Sequence, residues 1–534
     1  MKGSRMELRR SRTTRLKTAS ALLGAALLLG ACGNGGDGGE STAEEPASGG
    51  APAAPGAEDN SLTLIALQDP GTLDYVNNNQ TALILWIPGN VVEPLVYFDD
   101  AGEPEPAVAE SWDISDDQTT YTFTIRETTF SNDDPVTADD VVYSLTSMQE
   151  SPISTYAAAY GAVESITAVD ERTVEVELER PSQAFFQGMG GMSGLIQPES
   201  AADGIATNPI GTGPYVLDNY ATDDQLAFSV NEDYWGEAPS IEDVTVRIIP
   251  DGTAALNALS AGEVDVFPVI TIDLWERLTT EGFDESFNLV TYPQVGEMLY
   301  VAFNSTQAPF DEPEARQALA QAFNREDILA AFNAPWGADA TCDFGLEDTS
   351  WFAPESAEAC PHPSDLDAAT GAISAAGLDT QSVEFTSLSD VPDLSLPADI
   401  LVAQLQQVGA DIDRNAIELA RYSQTVFQAR PPQFGITVMS SAAPITGFAC
   451  ESPDQAGWTT YCSQEFTELL NEADSAESIE EYDDRMAAAN EVLKEDAVIV
   501  PLAAKNGVGL FHPDLQGWQE PRIMVDIQFK NLHW

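Results

Sequence analysis

The chain has 534 residues, enough for two or three domains, and 43% of them are hydrophobic, so a core of ordinary size can form. Its charge is lopsided: 22 Lys and Arg stand against 87 Asp and Glu, a formal net charge of −65. With no basic footprint to neutralise phosphates, the composition excludes nucleic acid as a partner, and the same acidity repels anionic lipid. Most of these carboxylates are solvated surface, and their mutual repulsion is screened by salt. The expectation is adaptation to a saline medium: the mature protein melts at higher temperature as salt is added. A melting series in salt with no such gain would contradict it.

Residues 1–31 read as a targeting segment. Seven basic residues and one acid precede or flank the apolar run Ala19 to Ala31. That run is shorter than the roughly 20 apolar residues a membrane-spanning helix needs. It ends in Leu29-Gly30-Ala31-Cys32, which resembles a bacterial lipobox, with small residues for cleavage and the Cys32 thiol to take the lipid. A plain signal peptide with a chance cysteine is the alternative. Residues 32–60 then form an acidic Gly/Ala/Pro tether; from Gly33 to Asn60 it holds eight glycines, six acids and no base, too little apolar surface to fold. As a coil its ends lie roughly 30 Å apart.

The folded part begins with a strand at Ser61 to Leu67. A polar loop and a helix or strand lead to Glu93-Pro94-Leu95-Val96-Tyr97. Tyr121, Phe123 and Ile125 alternate as a strand, as do Val174, Val176 and Leu178. Thr137-Ala138-Asp139-Asp140 opens a helix with a capping-box pattern. The stretch from Asn208 to Pro268 is the most ordered in pattern. Gly211-Thr212-Gly213-Pro214 is a tight turn, Tyr215 to Leu217 and Leu226 to Val230 pair as strands, and Asn231 to Gly236 is a turn with two large aromatics. Val244, Val246 and Ile248 make a half-buried strand, Ala255, Leu256 and Leu259 one helical face ended by Gly262, and Val264 to Pro268 a further strand. The unit is α/β. Gly211 and Gly213 are not a dinucleotide fingerprint, since a proline and a strand follow and the third glycine is missing.

Further on, Tyr300 to Asn304 is a strand, and Asp311 to Phe332 one long helix with Ala315, Leu319, Phe323 and Ile328 on its buried side. From Ala334 to Val391 the chain is loop-rich. Asp399 to Val408, Ser463 to Ala473 and Ser478 to Lys494 are helices, the last capped by Ser478 with Glu481. Phe434 to Val438 and Ile499 to Leu502 are strands.

Once Cys32 is set aside, four cysteines remain, an even number that suits disulfides in an exported protein. Three connectivities are possible; Cys342–Cys360 and Cys450–Cys462 close the shortest loops. A four-cysteine zinc site is the alternative, though no C-x-x-C spacing exists. His362, His512 and His533 are far apart with no ligand spacing, so no metal is expected. Gly191-Met192-Ser193-Gly194 fails the nucleophile-elbow pattern, and no phosphate-binding loop exists. No catalytic residue and no cofactor is expected. A binding function needs only a cleft with apolar walls and a few fixed polar groups.

The G-T-G-P-Y, N-x-D-Y-W-G and A-L-x-A-G-E-V-D motifs of the central stretch, in this order, resemble the family 5 extracellular solute-binding proteins, the peptide- and nickel-type receptors of bacterial ABC importers. Ala109-Glu110-Ser111-Trp112, the Tyr300–Asn304 strand and the segment Phe511 to Trp518 extend the resemblance, dense to about residue 330 and thinner beyond. The resemblance implies an α/β fold, a periplasmic-binding clamp of type II with two lobes plus a third. Lobe I would take 61–97, 206–298 and 499–534, lobe II 98–205 and lobe III 299–498, with hinge crossings near Tyr300 and Val500. It implies a monomeric receptor, lipid-anchored outside the cytoplasmic membrane, that passes a peptide or similar small solute to a permease and its ATPase. A secreted hydrolase or a signalling co-receptor on the same clamp is the alternative. Peptide receptors of this family carry an acid for the peptide's free amine in a third-lobe segment; the matching position here is Ala442, with Asp454 or Glu451 as substitutes. Candidate pocket walls are Phe303, Asn304, Trp336, Met439, Trp458 and Tyr461, each equally readable as an ordinary core or surface residue.

Overall fold

The computed structural model describes residues 56–57, 60–99, 102–271, 274–305, 307–331, 338–342, 360–389, 391–428, 435–441, 445–450, 461–476, 478–518 and 527–534. Cys32 and nearly all of the tether lie outside that set. Strand β1 (Ser61–Ala66) opens the fold, and a short hairpin of β2 (Val96–Phe98) and β3 (Pro104–Pro106) follows. Next come β4 (Ala109–Ile114), β5 (Thr120–Ile125), β6 (Val163–Asp170) and β7 (Thr173–Leu178), an antiparallel sheet in the order β4-β5-β7-β6. The alternation read at Tyr121, Phe123 and Ile125 is real: all three are buried while the threonines between them are partly exposed. Helix Ala138–Gln149 begins with the expected capping box, Thr137 and Asp140 each satisfying the other's backbone N–H.

The chain then enters β8 (Tyr215–Ala221), β9 (Gln225–Val230), β10 (Asp243–Ile248) and β11 (Val266–Phe267). Helix Gly252–Ser260 links the last two and ends as read, with Gly262 at a positive φ of 68° and its N–H bonded back to Leu259. The remaining strands are β12 (Asn288–Phe303), β13 (Ala338–Ala340), β14 (Val383–Leu388), β15 (Ile412–Ile417), β16 (Ile436–Ser441) and β17 (Ile499–Phe511). Among the described residues β1 and β8–β17 form one eleven-stranded sheet, ordered β15-β14-β16-β12-β17-β11-β1-β10-β9-β8, with β13 beside β17.

Two hydrophobic cores meet in this sheet, and strand periodicity divides them. Leu62, Leu64 and Ala66 face one core while Ile65 faces the other; Val266 and Phe267, and Phe511 and Leu510, split the same way. The first core runs into the four-stranded sheet and its helices. The second runs into the segment carrying β14–β16. Toward its end β1 is buried on both faces, which explains the apolar run Leu64-Ile65-Ala66.

Three expectations change. The long helix at 311–332 is two helices, Pro313–Ala320 and Arg325–Ala331: the first closes at Gln321, and the Asn324 side chain accepts from Glu326 N–H at 2.9 Å to start the second. Its buried residues Ala315, Leu319, Phe323 and Ile328 are as read. The helix expected from Asp399 begins at Pro392, where proline suits a first turn, and it tolerates Pro397 inside. Strands β12 and β17 are far longer than the segments Tyr300–Asn304 and Ile499–Leu502. Pro293 and Gly296 read as strand breakers, yet the strand accommodates them in an irregularity of its pairing.

The cysteines pair as Cys342–Cys360 and Cys450–Cys462, with Cα–Cα separations of 5.3 and 4.7 Å. By loop-closure entropy, each bond stabilises the fold by about 3 kcal/mol. Removing the Cys450–Cys462 pair as a double alanine variant is expected to cost that much, read from denaturant midpoints; an unchanged midpoint would contradict it.

Candidate functional site

Where the two parts of the large sheet join, two long strands cross among the described residues. Along β12, Asn288 to Pro293 pairs with Phe511 to Asn506 of β17, and Met298 to Ala302 pairs with Ala504 to Ile499. Between Pro293 and Met298 the ladder is interrupted, several residues of β12 facing one of β17. On one side of this break β17 also pairs with β11. On the other, β12 pairs with β16 and β17 with β13. A two-strand bridge with a break in its hydrogen bonds is where backbone angles can change without disturbing either flanking sheet.

In the part of the fold that carries β8 to β10, a buried carboxylate gathers side chains from three segments. Glu93 is wholly buried and accepts four hydrogen bonds: from Trp235 Nε1 at 2.7 Å, Thr212 Oγ1 at 2.9 Å, Tyr234 OH at 3.0 Å and Tyr97 OH at 3.3 Å. Burial pushes the Glu93 carboxyl above the usual range, opposed by these donors and by Lys530. The two aromatics of the Asn231–Gly236 turn thus point their polar tips at one acid, and the Arg126 guanidinium lies 3.8 Å over the Trp235 ring. Thr212 reaches Glu93 because the turn packs directly on residues 90–92. A Cβ on Gly211 would fall 2.2 Å from Val91 O, and one on Gly213 would fall 2.4 Å from Asn90 O.

The module of the four-stranded sheet also touches the module of β14–β16 at a second place. Asp474, the last residue of helix Gln464–Asp474, accepts from Ser182 Oγ at 2.8 Å and Ala184 N–H at 3.2 Å, and pairs with Arg180. Gln183 Nε2 donates to Ala476 O at 3.3 Å.

The expected pocket walls scatter. Phe303 and Asn304 are wholly buried at the end of β12 remote from the crossing; Phe303 lies 5.4 Å from the Phe310 ring and Asn304 N–H donates to Gly435 O. Phe303 belongs to the second hydrophobic core, and Asn304 is a buried polar residue beside it. Tyr461 is also buried, its hydroxyl donating to Asp496, whose carbonyl accepts from the buried Arg316. Its hydroxyl braces the end of the helix that closes at Asp496. Met439 sits on β16 opposite Tyr300. Trp336, Trp458, Asp454, Glu451 and Ala442 lie outside the described residues. A cavity of about 270 Å³ opens beside Gln307, Pro309, Phe310, Ser382, Glu384 and Gly435, at the far end of β12 and β16. It is small for a ligand site and lies away from the crossing.

Among the described residues no group of three or more His, Cys, Asp or Glu could hold a metal ion, and no helix is long and apolar enough to cross a membrane. Glu93 is the residue whose role sequence reasoning missed. One acid among 87 carries no signal of its own, and the aromatic turn that binds it lies 141 and 142 positions away in the chain.

Residues 103–444, more than half of the chain, match the family described as bacterial extracellular solute-binding proteins, family 5 Middle. The chain is 26% identical over 465 residues to heme-binding protein A of Haemophilus influenzae, covering 79% of this chain and 83% of that protein. It is 27% identical over 451 residues to di/tripeptide-binding protein 3 of Pseudomonas aeruginosa, covering 77% and 83%. Among solved structures it superposes on the ABC transporter substrate-binding protein CtaP of Listeria monocytogenes with a TM-score of 0.75 at 24% identity, covering 89% of this chain and 99% of that one. NikA of Brucella suis, in complex with Fe(III)-EDTA, gives 0.76 at 22% identity, covering 89% and 99%. These likenesses show the fold: a type II periplasmic-binding clamp of α/β architecture with an additional lobe.

Proposed function

Since the chain belongs to the bacterial extracellular solute-binding proteins of family 5, we propose that it is the receptor of an ABC importer, capturing a peptide or similar small solute between its lobes and delivering it to a membrane permease. The observation that carries this reading is the crossing of β12 and β17. Two strands with one break in their pairing join the lobes, so a ligand touching both lobes favours the closed form by its differential affinity for closed over open. The lobe that carries β8 to β10, gathered around Glu93, is one partner in that motion.

In this reading the protein is a monomer without covalent chemistry of its own, lipid-anchored through Cys32 on the outer face of the cytoplasmic membrane, and its permease reads the closed form while a separate ATPase drives release. The lobes take the segments 61–97, 206–298 and 499–534, then 98–205, then 299–498. A relative named for di- and tripeptides supports a peptide as ligand, and one named for heme supports a wider class. Ala442, in place of the family's amine-binding acid, favours a solute whose recognition does not depend on a free amine.

Thermal denaturation against libraries of free and N-acetylated di- and tripeptides, metal chelates including heme, and sugars tests the proposal. At least one class raises the melting temperature in proportion to the logarithm of its concentration. Melting unchanged by all of them, or turnover of any compound without an ATPase, would overturn it.

A further inference from the structure

We propose that Asp474 is the catch of the clamp: a carboxylate on the third lobe, seized by donors of the second, that helps hold the closed form together. This rests on the clamp reading above. Among the described residues, every hydrogen-bond and ion-pair partner of the Asp474 carboxylate comes from the other lobe. Arg180, Ser182 and Ala184 lie 294, 292 and 290 positions away in the chain. Its own helix gives it no support. Asp474 stands at the carbonyl end of helix Gln464–Asp474, where the helix dipole disfavours an anion, so local structure alone argues against an acid there.

The receiving side is prepared for it. Ser182 is buried, and its hydroxyl works in both directions, accepting from Phe185 N–H at 3.2 Å to cap helix Gln183–Gly188 and donating to Asp474 Oδ1 at 2.8 Å. The backbone N–H of Ala184 meets the same oxygen, while Arg180 takes the other. Gln183 adds a bond to the carbonyl of buried Ala476, two residues beyond the acid. Arg180 is spent on this contact in a chain with only 22 Lys and Arg.

The contact is also weak enough to open. The side chains of Arg180 and Asp474 are 45% and 22% exposed, so water can replace the bonds as they break. A polar, half-wet contact between two lobes sets how much of the protein is closed before ligand arrives. The fraction closed in turn scales the apparent affinity.

The test is the distance between fluorophores attached by non-cysteine labelling at the exposed positions Glu171 and Asp379, in the full-length protein in detergent, with and without a pool of di- and tripeptides. Wild type is expected to populate the short distance and to populate it further with peptides. Asp474→Ala is expected to shift the ligand-free population to the long distance and to weaken apparent peptide affinity about tenfold. Asp474→Asn, which keeps an acceptor for Ser182 and Ala184, and Arg180→Ala, which leaves both, should each lose about threefold and guard against a folding defect in the alanine variant. If wild type closes on peptides and Asp474→Ala closes equally well with unchanged affinity, the catch is overturned and the clamp stands. If wild type shows no distance change with these peptides or with the N-acetylated peptides, metal chelates and sugars named above, clamp and catch fall together.

Discussion

Replacing Cys32 with alanine should move the protein from the membrane fraction to the soluble fraction almost completely. The apolar run from Ala19 to Ala31 is too short to span a bilayer, and no helix among the described residues can cross one. The net charge of −65 repels an anionic surface, so no electrostatic attachment can substitute. On the proposed anchoring, membrane residence depends on acyl chains at one thiol. A single chain holds a protein only marginally, whereas two hold it stably, so loss of the thiol removes the whole anchor rather than part of it. Detergent phase partitioning of wild type and Cys32→Ala measures this. A variant still recovered with membranes would mean that some other segment binds lipid.

Replacing Glu93 with alanine should destabilise the fold by about 3–5 kcal/mol, among the largest effects of any single substitution in the chain. Trp235, Thr212, Tyr234 and Tyr97 all donate to this acid. Each buried donor left without an acceptor costs about 1–3 kcal/mol, and partial relaxation keeps the total below the sum. Glu93→Gln retains one carbonyl oxygen and should lose roughly half as much. The pH dependence has a definite sign. Burial raises the Glu93 carboxyl above its unfolded value, so its protonated form is favoured in the folded state. The contribution is fully present below the ordinary glutamate pKa of about 4.3 and falls as pH rises through the raised value. The advantage of wild type over Glu93→Gln should therefore be largest in acid and shrink toward neutrality. Denaturant midpoints across pH read this directly, and an advantage that grows with pH would contradict it.

How much of this was visible in the residues depends on how local the cause is. The unit from Asn208 to Pro268 was legible because each decision in it is local: Pro214 leaving a turn, Gly262 ending a helix, Val244, Val246 and Ile248 alternating. The N-caps at Thr137, Ser463 and Ser478 were legible for the same reason. The crossing strands were legible only at one end. Tyr300–Phe303 and Ile499–Leu502 are apolar runs, but the full strands continue through Pro293, Gly296 and Gly507, which local rules score against them. What overrides those residues is pairing between segments some two hundred positions apart, which no window of sequence contains.

The site was the least legible part, for two physical reasons. Acid is so abundant that composition cannot tell Glu93 or Asp474 from a solvated carboxylate, and both owe their roles to partners far along the chain. Aromatic residues near a strand end were the other cue, and Phe303 and Tyr461 show its weakness. A large ring beside a strand terminus fills a core as readily as it walls a cleft.

The most direct measurement is native mass spectrometry of the full-length protein as it comes from its own cells. The account predicts a small solute bound one to one, released intact on unfolding and regained when the stripped protein is offered the same compound. A protein that carries no such solute and takes up none, or one that returns the compound cleaved, would contradict it.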